Sequence, residues 1–241
     1  MRYALFVVVA AFLLQWSSFA QVPSIVESAT LQAGPHSWKR MLRNQSPSSL
    51  MAYTVGCDPK SGLSLRDALL SVGRYVGPGE SVEAEVGNLS TCEANVRAAI
   101  FSDGHAEGDP EFVEEIFAHR RGAYRALGDT IKLLASVSAE HLSIADSIDR
   151  LNAQRKSNGR KTPEEGVGYN SVLIRVSQIL AQPRVECDFP PDNLGQKQKL
   201  PSIEDVMNEK GVSRDEARVI LLNKRLEAWK SLLQNNLQPR Q

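Results

Sequence analysis

The sequence predicts an α+β protein in which a small, immunoglobulin-like β-sandwich is followed by a helical C-terminal part. Up to about residue 105, short apolar segments alternate with turn residues, which is typical of strands. Beyond that point, apolar residues recur every three or four positions, which is typical of amphipathic helices. Strands first and helices afterwards indicate an α+β fold and not an alternating, doubly wound one.

The predicted division of the chain follows these changes in pattern. We expect, in order, a signal peptide at 1–20, a β-sandwich domain at 22–105, a helical region packed on or beside it at 106–182, a proline-containing linker at 183–201 and a C-terminal helical hairpin at 202–241. The linker is predicted because it has no apolar periodicity and contains several prolines.

The first twenty residues have the layout of a secretory signal peptide. Arg2 provides a positive start, residues 4–14 carry no charge, and Ser18 and Ala20 are the small residues expected before a cut ahead of Gln21. The uncharged run is shorter than the roughly 20 residues that a helix needs to cross a bilayer. We therefore expect an exported protein, periplasmic or extracellular, with no transmembrane segment in the mature chain.

Four segments of the N-terminal part are predicted to be strands. Residues 38–42 precede a polar turn, and residues 50–57 are rich in apolar, aromatic and β-branched side chains. Residues 81–86 alternate polar and apolar, which indicates a strand with one buried face. Residues 96–101 form an apolar run that we expect to be an interior strand. Residues 65–76 fit either a strand pair or a helical insertion.

The first helix is predicted to begin at Pro110. Asp109 supplies an N-cap, and Glu111 adds an acidic first turn behind the proline. One face of this helix is apolar and should be buried: Val113, Ile116, Phe117, Tyr124, Leu127, Ile131 and Leu134. We expect Glu114, Glu115 and His119 to lie in solvent.

Three further helices are predicted from the same kind of signal. One starts at Ser138, and another covers the apolar positions between residues 169 and 180. Ser213 and Glu216 form a capping box ahead of the last helix.

Three cysteines, Cys57, Cys92 and Cys187, lie beyond the signal peptide. An exported protein meets an oxidising compartment, so one disulfide is plausible and one thiol is left over. We favour Cys57–Cys92, because both lie in the predicted sandwich. Sequence alone leaves the other pairings open.

Charge and motif content exclude several classes of function. The chain has 28 basic and 28 acidic residues, and loss of Arg2 with the signal peptide leaves a net charge of −1. A near-neutral protein has no long-range field to attract nucleic acid, so no nucleic-acid partner is expected. The sequence contains no Gly-x-Ser-x-Gly, no His-Glu-x-x-His and no phosphate-binding glycine loop. We expect neither catalysis nor a cofactor.

The strongest candidate for a metal site is the segment that joins the strands to the helices. Asp103, Glu107 and Glu114 fall at positions 1, 5 and 12 of a calcium-binding loop. His105 stands where an oxygen ligand is expected, and Pro110 interrupts the loop interior. The competing interpretation is a solvated turn in which Asp109 caps the helix. Glu115 and His119, one helical turn apart, are two possible ligands but not a site, and a solvated face beside Arg120 and Arg121 is the simpler interpretation.

Arg40-Met41-Leu42-Arg43, downstream of the signal peptide, resembles the Arg-x-Leu-Arg host-entry motif of oomycete effectors. That resemblance implies a secreted protein directed into a host cell. The acidic segment that usually follows the motif is not found in this sequence. A strand leading into a turn, with Arg40 and Arg43 exposed, is the alternative interpretation.

A second, more extended resemblance covers residues 44–135. Its elements are Asn44-x-Ser46, Ala52-Tyr53, Pro78-Gly79-Glu80, the run from Ala98 to Gly104, and Gly108-Asp109. Together they are similar to uncharacterised exported bacterial proteins, which implies a small sandwich followed by helices and an exported location.

The sequence therefore predicts an exported, non-catalytic protein that acts by surface contacts with an unknown protein or envelope partner. The alternatives are a host-directed effector and a metal-dependent protein using the turn at residues 103–114.

Overall fold

Strands occupy the N-terminal part of the chain and helices follow them. The computed structural model describes residues 26–34, 37–56, 64–70, 75–86, 95–141, 143–157, 162–182 and 201–239. Its strands are β1 (Val26–Gly34), β2 (Ser37–Asn44), β3 (Leu50–Gly56), β4 (Ser64–Asp67), β5 (Ser81–Val86), β6 (Asn95–Phe101) and β7 (Ala106–Gly108). Its helices are α1 (Pro110–Ala139), α2 (Ile144–Ser157), α3 (Pro163–Ala181), α4 (Ile203–Lys210) and α5 (Arg214–Gln234). The predicted α+β order is thereby confirmed.

The strands form two antiparallel sheets. One has the order β1-β2-β5 and the other the order β4-β3-β6-β7. β6 lies between β3 and β7, so the prediction of an interior strand at residues 96–101 is confirmed. The sequence pattern did not reveal β1, which pairs with β2 along most of its length.

The four-stranded sheet is buried on both faces. One face packs against the three-stranded sheet through a core of Leu42, Leu50, Tyr53, Val55, Val76, Ala84, Val96, Ala99 and Phe101. Its other face contributes Met51, Ala52, Ala98 and Ile100 to the larger core that it shares with the helices. Burial on both faces explains why β3 and β6 are nearly continuous apolar runs in the sequence, whereas β5 alternates.

The segment at residues 65–76, which the sequence left open, is extended and turned in its described part. β4 pairs with β3, and residues 68–70 then form a turn. Val76 makes an antiparallel bridge to Leu50, with backbone hydrogen bonds of 2.8 and 3.1 Å. The residues described between 64 and 76 contain no helix.

α1 begins as predicted and ends later than predicted. The side chain of Asp109 accepts a hydrogen bond from the backbone of Glu111, and Pro110 occupies the first helical position. The helix continues through Ser138 to Ala139, so the prediction of a new helix at Ser138 is wrong. The break comes at His141, whose φ of 53° is left-handed, and α2 starts at Ile144.

α1 is buried around more of its circumference than its apolar stripe predicts. Ile116, Phe117, Leu127 and Leu134 are buried as expected, and Val113, Tyr124 and Ile131 pack against the core at its edge. The sheet, α3 and α5 all contact α1, so further positions are also enclosed: Phe112, Ala118, Arg120, Ala123, Ala126, Thr130 and Val137.

Each of the last two helices begins with a capping box. Ser202 and Asp205 make a capping box on α4, and Gly211 ends it in the left-handed conformation at φ 63°. The predicted capping box of Ser213 and Glu216 on α5 is confirmed. Arg218 of α5 donates to the carbonyl oxygens of Leu180 (3.1 Å) and Gln182, which satisfies the C-terminal end of α3.

Several predictions concern residues outside the described part of the chain. These are the signal peptide at 1–20, the linker over residues 183–200, and the pairing of Cys57 with Cys92. The described residues nearest to these two cysteines, Gly56 and Asn95, are paired partners on β3 and β6. The disulfide stays a prediction.

Candidate functional site

The turn between β6 and β7 holds the most polar cluster that the sequence singled out. The His105 ring stacks on Phe101, with ring centroids 4.4 Å apart and an interplanar angle of 11°. Phe101 is fully buried, so the imidazole lies flat on the edge of the core between the two sheets. Gly104, with φ 91°, provides the positive φ at this turn.

Asp103 and Glu107 lie on opposite edges of the His105 ring. Asp103 Oδ1 is 2.6 Å from Nδ1, and Glu107 Oε1 is 3.6 Å from Nε2. Ser48 donates a 2.7 Å hydrogen bond to the other oxygen of Asp103. Burial raises the pKa of Asp103, but the combined hydrogen bonds from Ser48 and His105 outweigh that effect and lower it. The cluster therefore holds the β2–β3 loop against the β6–β7 turn.

This arrangement does not activate a nucleophile. Ser48 donates to the carboxylate of Asp103 and not to the ring of His105. Activation of a serine requires an adjacent base that accepts its proton, and a third group that orients the base. The contacts of Asp103 with Ser48 and with His105 therefore hold the two loops together.

Glu114 does not join the other two predicted calcium ligands. It is exposed on α1 and forms an ion pair with Arg121. Within the described part of the chain, no group of three or more His, Cys, Asp and Glu side chains is placed to share a metal ion. Of the two interpretations, the arrangement of these residues favours the turn in which Asp109 caps α1.

We expect millimolar calcium to leave the thermal midpoint of unfolding unchanged. Asp103 is held by Ser48 and His105, and Glu114 by Arg121, so a cation would have to break existing contacts to collect these carboxylates. Thermal melting with calcium, and with magnesium as a control for ionic strength, measures this. A calcium-specific rise in Tm that disappears in Asp103→Asn and Glu107→Gln variants would restore the metal hypothesis.

Glu115 and His119 are half-buried, whereas the sequence predicted that they lie in solvent. Burial raises the pKa of Glu115, and the negative charges of Glu164 and Glu111 add to the effect. Burial lowers the pKa of His119 against the opposing charges of Asp67 and Glu164. Both shifts arise because α3 packs closely on this face of α1.

Arg120 forms the most deeply buried ion pair in the described residues, although the sequence placed it on a solvated face. Its Nε lies 2.6 Å and its Nη2 3.2 Å from the two carboxylate oxygens of Asp67. The side chains are 1% and 0% exposed. Such a bidentate pair is the arrangement in which arginine satisfies a carboxylate best.

The Asp67–Arg120 pair joins three parts of the fold. Asp67 ends β4 and also accepts a hydrogen bond from the backbone of Leu69. Arg120 donates to the carbonyl oxygen of Asn236, just beyond α5. Trp229 of α5 donates its indole N–H to the carbonyl oxygen of Leu69 at 2.6 Å. Sheet, first helix and last helix therefore meet at one polar centre inside the core.

One signal in the sequence could have identified Arg120 as buried. It lies on the apolar stripe of α1, three residues beyond Phe117 and seven before Leu127. A charged side chain inside an apolar stripe needs a buried partner of opposite charge. The partner itself could not be identified, because Asp67 lies 53 positions away in the sequence.

The Arg-x-Leu-Arg segment is folded into a central strand. Arg40 is 6% exposed and Leu42 is 0% exposed, whereas Arg43 faces solvent. The prediction that both arginines are exposed is therefore wrong for Arg40. Strand β2 pairs with β1 on one side and β5 on the other, which encloses the motif within the sheet. In the folded protein these four residues are therefore part of the three-stranded sheet.

Asn44-Gln45-Ser46 has the Asn-x-Ser pattern of a glycosylation acceptor, but Asn44 is a structural residue. Its side-chain amide donates to the carbonyl oxygens of Ser48 (2.8 Å) and Val76 (2.9 Å), and its oxygen accepts from the backbone of Ser46 (2.9 Å). The residue is 0% exposed. A buried amide nitrogen that already donates two hydrogen bonds is not available for modification once the protein has folded.

No protein-family model, curated protein or solved structure matched the chain when it was compared with them. Among the helices that the structure describes, none has both the length and the apolar character needed to cross a membrane.

Proposed function

We propose that the protein is exported and acts without catalysis, through surface contacts with a protein or envelope partner in the periplasm or outside the cell. The observation that carries the proposal is the N-terminal pattern of Arg2, the uncharged run at residues 4–14, and the small residues Ser18 and Ala20.

The charged side chains described above form structural contacts, which supports a non-catalytic role. Asp67 and Arg120 neutralise each other in the core, and Asp103 fastens two loops through Ser48 and His105. Glu165 lies under α1, 3.5 Å from Arg121 and 3.6 Å from Arg125. In each case the group stabilises the fold by joining distant segments.

We also propose that the two sheets are an immunoglobulin-like sandwich. The support is the strand order, because the second strand pairs with the first and the fifth, and the third pairs with the sixth. These are the pairings of strands A, B and E and of strands C and F in that architecture. Such sandwiches are common in extracellular and cell-surface proteins, which fits export.

Export is tested by the N-terminus of the protein from its native compartment. We expect mass spectrometry to find mature chains that begin at Gln21, because the small residues before it allow signal-peptide cleavage. A Val8→Arg variant should accumulate inside the cell at full length, since a charge in the uncharged run blocks insertion. Unprocessed Met1 on wild-type protein in the cytoplasm would contradict the proposal.

A further inference from the structure

The outward face of α3 is unusual because it is uncharged and partly apolar. Five residues form it, and we call them the outer face of α3: Pro163, Val167, Ser171, Ile174 and Gln178, all exposed. Val167 is 56% and Ile174 42% exposed, and they are the exposed large apolar side chains of the described residues. Depletion of charge is the compositional mark of the centre of a protein–protein interface.

None of the three charged residues of α3 belongs to the outer face, but two of them border it. Glu165 is buried beneath Arg121 and Arg125 of α1. Glu164 and Arg175 are half-buried, and at about 100° per residue both lie on the same edge of the outer face. Arg175 also donates a 3.4 Å hydrogen bond to the carbonyl oxygen of Leu70, and its positive charge remains at this edge. Glu164 and Arg175 are about 16 Å apart along the helix, so they do not reach each other within one chain.

The outer face of α3 and the two charged residues beside it are self-complementary when two copies of the helix pack antiparallel. A two-fold axis near Ser171 brings Val167 of one copy opposite Ile174 of the other. The same axis, midway between residues 167 and 174, places Glu164 opposite residue 177 of the second copy, two residues or about 3 Å along the helix from Arg175. In an antiparallel two-fold pair, the same edge of each helix lies beside that of the other copy. The symmetry therefore places Glu164 of each copy near Arg175 of the other.

We propose that the protein self-associates as an antiparallel two-fold dimer through the outer face of α3. Ser171 is small and donates its hydroxyl hydrogen bond to Gly168 within its own helix, at 2.8 Å, so it leaves no unsatisfied donor near the axis. The outer face is only about 22 Å long and buries less area than a standard interface, so the dimer should be weak and concentration-dependent. The inference does not depend on export or on the non-catalytic role.

Sedimentation of the mature chain over a range of concentrations tests the proposal. We expect a shift from one chain to two as concentration rises, with non-reducing gels used to exclude disulfide-linked dimers. The double substitution Val167→Asp and Ile174→Asp should raise the dimer dissociation constant by at least about tenfold. Ala145→Asp with Ala153→Asp, which adds the same charge at exposed positions of α2, should change it by less than about twofold.

Charge reversal tests the antiparallel register. Glu164→Arg and Arg175→Glu should each weaken the dimer several-fold, and combining them should restore the parental dissociation constant to within about twofold. Restoration cannot arise within one chain, because the two positions are too far apart along α3. Circular dichroism and thermal melting check that each variant is folded.

Three outcomes would overturn the proposal. The first is a monomer at every concentration. The second is a dimer that survives Val167→Asp with Ile174→Asp. The third is a double charge reversal that stays as weak as the single variants.

Discussion

Replacement of Gly168 or Gly122 by alanine is expected to destabilise the protein by about 3 kcal/mol or more. The two glycines lie where α1 and α3 cross, and each faces the backbone of the other helix. A Cβ at Gly168 would overlap the carbonyl oxygen of His119, and one at Gly122 would overlap that of Glu165. Backbone cannot move aside as a flexible side chain can, so the helices must separate.

Gly128 provides the matched control, because it lies in α1 but faces a side chain. The nearest atom to a Cβ at this position is Nζ of Lys230, at 3.3 Å, at the end of a flexible chain. Alanine is favoured over glycine in a helix by up to about 1 kcal/mol, so Gly128→Ala should be neutral or stabilising. Urea unfolding monitored by circular dichroism measures all three variants. Equal effects at the three positions would show that the close crossing does not exist.

Removal of one charge from the Asp67–Arg120 pair is expected to cost about 3–5 kcal/mol, because the remaining charge stays buried without a partner. Asp67→Asn and Arg120→Met are suitable variants, since they keep much of the size of the original side chains. The double variant should be more stable than the sum of the single effects predicts, by about 2 kcal/mol, because it leaves no buried charge.

The exposed pair of Lys39 and Glu83 is the comparison for this experiment. Its N–O distance is 2.7 Å, but the side chains are 38% and 50% exposed. Glu83→Gln should cost less than about 1 kcal/mol, because solvent screens the interaction. If Asp67→Asn cost no more than Glu83→Gln, Asp67 and Arg120 would not form a buried pair in solution.

Features that depend on neighbouring residues could be predicted from the sequence alone. Asp109 and Pro110 predicted the start of α1, and Ser213 with Glu216 predicted the cap of α5. The alternation at residues 81–86 predicted β5. Each signal lies within a few residues of the structure it produces, because capping and side-chain periodicity are local effects. The change from strands to helices near residue 105 followed from the same signals.

Which polar groups are buried, and what they bind, depends on how distant segments pack together. Arg40 and Arg120 looked like exposed cations, but Arg40 is buried on β2, and Arg120 forms a buried ion pair with Asp67, 53 positions away. Asp103, Glu107 and Glu114 have the spacing of a cation site, but Glu114 lies on α1 and forms an ion pair with Arg121 of the same helix.

The glycines of α1 also show that a local sequence pattern does not reveal distant contact partners. Gly122 and Gly128 look alike in the sequence, yet one meets the backbone of α3 and the other a flexible lysine. Contacts between distant segments depend on how whole elements pack, and a local pattern carries no information about which distant residue will lie opposite. The outer face of α3 belongs to this class, since its exposure followed only from the packing of the opposite side on α1.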